Sequence, residues 1–183
     1  MPVRVALLRS MVIGKRRVSG FDVRALAEAA GGTDARSVIA TGNVVFRSRK
    51  APATLELEME KACAAEFGRA TEIVVKTADE WRALIAANPF PEEAEAHPAR
   101  VLAWAMRDPL PDAGLDQLLR RAGPDERVER TASGDLYMWF GGAIDASKLP
   151  AGFGLKALGA VGTNRNWNTV MKITAVLDEM EAR

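Results

Sequence analysis

Ser37-Val38-Ile39-Ala40-Thr41-Gly42-Asn43-Val44-Val45-Phe46 decides the fold. Two apolar runs rich in β-branched residues flank Thr41-Gly42-Asn43, and a turn with Gly42 alone, or Gly42 and Asn43, at positive φ joins them as a tight hairpin. Before the hairpin, Val3 to Arg9 reads as a strand ending in a polar loop. Ser19 then reads as a helix N-cap with Asp22 three residues on, and Val18 with Val23 forms a hydrophobic staple. That helix should run to about Ala30, where Gly31-Gly32 supplies a left-handed C-terminal cap. After the hairpin, Pro52 opens a second helix, Gly68 closes it, and Glu72-Ile73-Val74-Val75-Lys76 is a strand. Strand, helix, two strands, helix, strand is the order of a split βαβ, or ferredoxin-like, unit, expected to carry both helices on one face of its sheet.

Further along, Thr77 and Glu80 form a capping box for a helix bearing Trp81, Leu84 and Ile85, which Asn88-Pro89 stops. Residues 89–98, with Pro91, Pro98, three glutamates and the lone His97, read as an exposed linker. Val101 to Met106 reads as a strand; Leu115, Leu118 and Leu119 mark a helix ended by Gly123-Pro124. Arg127-Val128-Glu129 and Leu136 to Phe140 flank a turn at Ser133-Gly134-Asp135. The expected class is α+β: a ferredoxin-like subdomain over 1–88 including the extra helix, then a second, incomplete βαββ unit over 99–183 ending in C-terminal helices. One compact domain is the alternative. No repeat at the level of residues proves duplication.

The chain has 183 residues, 48% apolar and 27% charged, enough to bury a sizeable core. No run of about 18 apolar residues is present and Met1-Pro2 passes directly into a strand-like stretch, so neither membrane span nor signal peptide is read and the cytoplasm is the expected compartment. The single Cys63 keeps helical spacing with Leu55, Met59 and Phe67 and reads as core. A formal net charge of +1 argues against a general polyanion binder. Arg4, Arg9, Lys15, Arg16, Arg17 and Arg24 nonetheless gather in the first 24 residues against one acid, Asp22, as either a phosphate-tracking patch or a solvated loop.

Function points to Gly162-Thr163-Asn164-Arg165-Asn166-Trp167-Asn168-Thr169, where polar, basic and aromatic residues concentrate. Trp167, Val170, Met171, Thr174, Leu177 and Met180 follow one helical face, which makes Thr163 the N-cap and places Arg165 in the first turn. Arg165, Asn168, Thr169 and Lys172 then share the opposite side. Free N–H groups, the positive end of a helix dipole and a guanidinium make an anion site. A capped amphipathic helix with a merely wet polar side gives the same pattern.

Other chemistry is absent. Metal-ligand spacings, a P-loop, a dinucleotide fingerprint and a nucleophile elbow are missing, so neither metal nor cofactor is implied. Gly152-Phe153-Gly154 reads as loop punctuation, and His97 has no evident nucleophile. Tyr137 and Trp139 alternate with Leu136, Met138 and Phe140, either as packing or as a base-stacking pair on a sheet.

Val5-Ala6-Leu7-Leu8-Arg9, Thr41 to Phe46, Ser147-Lys148-Leu149, Lys156-Ala157-Leu158-Gly159 and above all Gly162 to Thr169 resemble the bacterial family called domain of unknown function 1697. The resemblance implies an α+β fold of ferredoxin-like character and no activity. Arg9, Lys15, Asn43, Lys156, Arg165, Asn166, Trp167 and Thr169 match the family pattern. Ser10-Met11-Val12-Ile13 replaces its usual Gly-Ile-Asn-Val loop, which removes an asparagine. The leading expectation is a non-catalytic module in which these residues, with Thr163, contact an anionic small molecule or nucleic acid. The rivals are an enzyme acting on a phosphorylated or carboxylated metabolite with Asp145 or Asp135 as base, and a motif that only locks the terminal helix in place. Oligomeric state is not read from the sequence.

Overall fold

The computed structural model describes residues 1–40, 42–149 and 155–183. Thr41 of the hairpin turn and the Gly152–Gly154 loop fall outside these residues. The chain divides into two compact units, Met1–Trp81 with Met171–Arg183, and Arg82–Val170. Residues 89–98, expected as a linker, carry a short helix and lie within the second unit.

The first unit runs β1 (Val3–Leu8), a small hairpin of β2 (Val12–Ile13) and β3 (Arg16–Arg17), α1 (Gly20–Ala29), β4 (Thr33–Ser37), β5 (Asn43–Arg47), α2 (Pro52–Phe67) and β6 (Ile73–Thr77). Its main sheet has the order β4-β5-β1-β6 with every neighbour antiparallel, an arrangement compatible with the ferredoxin-like expectation. Ala6, Leu8, Val44, Phe46, Ile73 and Val75 on one sheet face share a core with Val23 and Leu26 of α1 and Leu55, Met59 and Cys63 of α2. Both helices therefore cover the same face, where their apolar stripes meet these strand residues; Val3, Val5, Leu7, Val45 and Val74 on the other face are buried as well. The local signals act as their chemistry requires. Ser19 Oγ accepts from Asp22 N while the Asp22 carboxylate accepts from Ser19 N, and Gly68 ends α2 at φ 71°.

The hairpin is closed differently from expectation. Val38 N donates to Asn43 O and Asn43 Nδ2 donates to Val38 O, each at 3.0 Å, so Val38 and Asn43 clamp the turn. Ile39 sits beyond the clamp at φ 48°. The strand paired with β5 lies earlier, at Thr33–Ser37, whose polar sequence carries no strand signal and which is drawn into the sheet by its partner.

Helix α3 (Ala78–Ala86) opens on the expected capping box, Glu80 N donating to Thr77 Oγ1 and Thr77 N to Glu80 Oε2. In the second unit α4 (Pro91–Ala96) leads to β7 (Val101–Met106), α5 (Asp112–Arg121), β8 (Glu126–Arg130), β9 (Leu136–Phe140) and β10 (Gly162–Asn166); α6 (Trp167–Glu181) follows directly. The second sheet has the order β10-β7-β9-β8, again antiparallel throughout. The expected incomplete βαββ unit is corrected here. Gly162–Asn166 is a fourth strand paired along β7, so the strand order repeats that of the first sheet. A 3-10 turn at Leu155–Leu158 lies ahead of this strand, where the first unit has α2 ahead of β6. Trp104, Leu110, Leu118, Leu136, Met138, Phe140, Leu149 and Leu155 form the second core. Among the described residues no helix is long and apolar enough to cross a membrane.

Candidate functional site

The stretch singled out for function is a strand-to-helix junction. Thr163 is a buried strand residue opposite Ala105 of β7, not a helix cap, and Arg165 pairs with Ala103. The cap falls three residues later: Asn166 Oδ1 accepts a 3.0 Å hydrogen bond from Thr169 N. Both Thr163 and Asn166 have the side chain for a cap. Pairing with the buried strand β7 decides between them, since Thr163 and Arg165 turn their backbone groups toward β7.

Arg165 therefore does not lie on the wet side of a helix. It is half-buried; its Nη1 donates to Thr163 Oγ1 at 2.9 Å and to Asn164 O at 2.6 Å. Burial lowers its pKa to about 10, which means that the surroundings disfavour the positive charge it carries at neutral pH. Trp167, expected as a core anchor, is only half-buried; its ring lies 6.4 Å from that of Tyr137 at a tilt of 52°. In α6 the buried face is Val170, Ile173, Leu177 and Met180, while Met171 is 46% exposed. The stripe runs through Val170 and Ile173 because it is not centred on the half-buried Trp167, from which spacing of three and four residues would draw in Met171 and Thr174. Lys156, in the same unit, is exposed on the 3-10 turn.

Residues expected at the site from the N-terminal half lie in the first unit. Arg9 pairs with Glu72 at 3.1 Å; the Asn43 side chain is fully buried and its amide serves the hairpin; Lys15 is exposed in the β2–β3 turn. Of the basic cluster, Arg16 is held by Asp22 and Glu66 at 2.8 Å each and lies over the Phe67 ring. These contacts bring Arg16 into a cavity of about 550 Å³ between α1 and α2, lined also by Phe21, Ala25, Ala29 and Ala62.

Residues considered for catalysis are engaged elsewhere. Asp135 is buried, accepting from Met106 N at 2.9 Å and from Ser133 Oγ at 3.0 Å, which ties the β8–β9 turn to the end of β7. Asp145 is exposed in a separate turn. His97 stacks on Trp139, the ring centroids 6.1 Å apart. Tyr137 is fully buried and its hydroxyl donates to Leu84 O at 2.7 Å, so it is not a free stacking surface. Among the described residues no cluster of His, Cys, Asp or Glu is placed to hold a metal ion.

The geometry defines an α+β protein built on two antiparallel four-stranded sheets, with a cationic strand-to-helix junction in the second unit. Residues 1–137 match the family described as protein of unknown function (DUF1697), and the chain belongs to that family. The motif at Arg165 to Thr169 lies beyond the matched residues. Among solved structures the chain is similar to the conserved bacterial protein SP0830 from Streptococcus pneumoniae, at 19% identity and a TM-score of 0.71, covering 97% of this chain and 99% of that one. This likeness shows the fold. No curated protein matches the chain.

Proposed function

We propose that the protein is a non-catalytic, cytoplasmic binding module that takes a phosphate- or carboxylate-bearing ligand at the junction of β10 and α6. The observation that carries this reading is the state of Arg165, a guanidinium whose charge is disfavoured by burial and which stands two residues before the start of a 15-residue helix. An anion beside it would offset the desolvation, and the α6 dipole acts in the same direction. Thr163 Oγ1 and Asn164 O fix the guanidinium, so little side-chain entropy is lost on binding. The half-exposed Trp167 ring offers an apolar surface to the body of the ligand.

The positions of Asp135 and Asp145 support a binding module over an enzyme, since one carboxylate is spent on the fold and the other stands in a separate turn. The test is calorimetric titration of the full chain with inorganic phosphate, nucleotides, sugar phosphates and short oligonucleotides. Saturable, salt-sensitive binding of at least one member is expected. Absence of binding across the panel refutes the reading.

A further inference from the structure

We propose that the protein self-associates through the edge strand β8, joining the second-unit sheets of two copies into one continuous sheet about a two-fold axis at Val128. This goes beyond the binding reading and is independent of it. The two hydrogen bonds that bracket β8, Gly141 N to Asp125 O and Thr131 N to Asp135 O, fix which backbone groups face β9. In an antiparallel ladder they place the N–H groups of Arg127 and Glu129 inward, and those of Glu126, Val128 and Arg130 outward along the free edge. Glu126 N is used within its own turn by Gly123 O. Val128 and Arg130 remain as outward donors, on a regular five-residue strand without a bulge.

The first sheet treats its edges differently. The outward amides of β6 are each taken by a carboxylate: Ile73 N by Glu60 at 2.9 Å, Val75 N by Glu56 at 2.9 Å, and Thr77 N by Glu80 at 2.7 Å. On β4 a register shift between Thr33 and Arg36, with Asp34 at φ 51°, breaks the edge. Such devices keep sheet edges from pairing, and β8 carries neither of them.

What β8 carries is a charge pattern that complements itself. Read antiparallel about Val128, Glu126-Arg127-Val128-Glu129-Arg130 sets Glu126 against the second copy's Arg130, Arg127 against its Glu129, and each converse, so every charged residue meets its opposite. The register also agrees with the backbone. Val128 N donates to the second copy's Val128 carbonyl and Arg130 N to its Glu126 carbonyl, both twice by symmetry. Arg127 and Glu129 then form the non-hydrogen-bonded pairs, in which side chains stand closest. An isologous two-fold contact of this kind closes on itself and yields a dimer rather than a fibre. Within the chain Arg127 also meets Glu93, and Arg130 meets Asp112 at 2.6 Å and Leu110 O, so the second copy's glutamates complete clusters already begun. Glu129 is exposed.

The test is sedimentation velocity of the full chain from micromolar to near-millimolar concentration, with backbone amide exchange on the same samples. The parent should show a monomer–dimer equilibrium, with the Val128 and Arg130 amides slowing as dimer forms. Glu129→Arg sets arginine against arginine twice per dimer and should weaken self-association about tenfold. Arg127→Glu does the same with glutamates, and an equimolar mixture of the two variants should recover a heterodimer of parental strength. Circular dichroism of each variant checks the fold; Glu129→Arg, at an exposed position, carries the test alone if Arg127→Glu does not fold. A parent that stays monomeric across the range, or a dimer whose constant Glu129→Arg leaves unchanged, overturns the proposal.

Discussion

Replacing Tyr137 by Phe isolates one buried hydrogen bond. Tyr137 has no exposed surface, and its hydroxyl donates to Leu84 O at 2.7 Å. Leu84 lies in the last turn of α3, where helix carbonyls lack partners within the helix, so the phenol acts as a C-terminal cap delivered from β9. Tyr137→Phe keeps the ring and its apolar burial but leaves a buried carbonyl without this donor. The cost should be about 1–3 kcal/mol, the usual penalty for an unsatisfied buried acceptor. Urea unfolding of parent and variant should show a lower midpoint at an unchanged slope. The proton adds a second arm. Burial, with a smaller contribution from the Asp135 charge, raises the phenol's pKa above its ordinary value. An acid with a raised folded-state pKa favours the fold fully below its unfolded value, about pH 10, and loses that contribution as the pH rises beyond it. The parent should therefore lose stability above about pH 10 and Tyr137→Phe should lose less. Tyr137 is the only tyrosine in the chain, so tyrosinate absorbance reports it alone, and should appear only as the protein unfolds. A variant equal to the parent in urea, or a folded parent whose tyrosine ionises near pH 10, refutes the reasoning.

Two further substitutions test local claims. Asn166→Ala removes the side chain that caps α6 and should cost about 0.5–2 kcal/mol in urea unfolding; an unchanged midpoint would mean that Asn166 does not set the helix start. Gly114→Ala lies inside α5, where alanine ordinarily gains about 1 kcal/mol of helix propensity. A methyl there would stand 2.8 Å from the Leu158 carbonyl oxygen and 3.0 Å from Leu110 Cδ1, so the variant should be destabilised, and a raised melting temperature would count against the packing described.

Much of the first unit was legible because its signals are local. Ser19 with Asp22, Thr77 with Glu80, Pro52 with Gly68, and the Val44–Phe46 run each state their structure within a few residues. Two strands were not legible for a common reason. Thr33–Ser37 and Gly162–Asn166 are polar segments made into strands by the partners beside them, β5 and β7, and strand pairing is invisible in a local window. The second case shifted the functional reading as well. Thr163, Asn166 and Thr169 recur at three-residue intervals with cap-competent side chains, so the helix could be started one turn early. That start puts Arg165 on a solvated helix face, while centring the apolar stripe on the half-buried Trp167 draws Met171 into the core and passes over Ile173. That Arg165 is the residue to test was legible from composition alone; that its guanidinium is desolvated was not.

The most direct test of the binding account is the affinity of Arg165→Ala for whichever phosphate or carboxylate probe the parent binds, measured by calorimetric titration beside urea unfolding of both proteins. Losing a charge-assisted hydrogen bond to an anion should weaken binding by about 1.5–3 kcal/mol while the variant remains folded. The parent's affinity should fall as salt rises. Equal affinity in the folded variant, or a variant that cannot fold beside a parent that binds nothing, would show that Arg165 serves only the β10–α6 junction and would contradict the account.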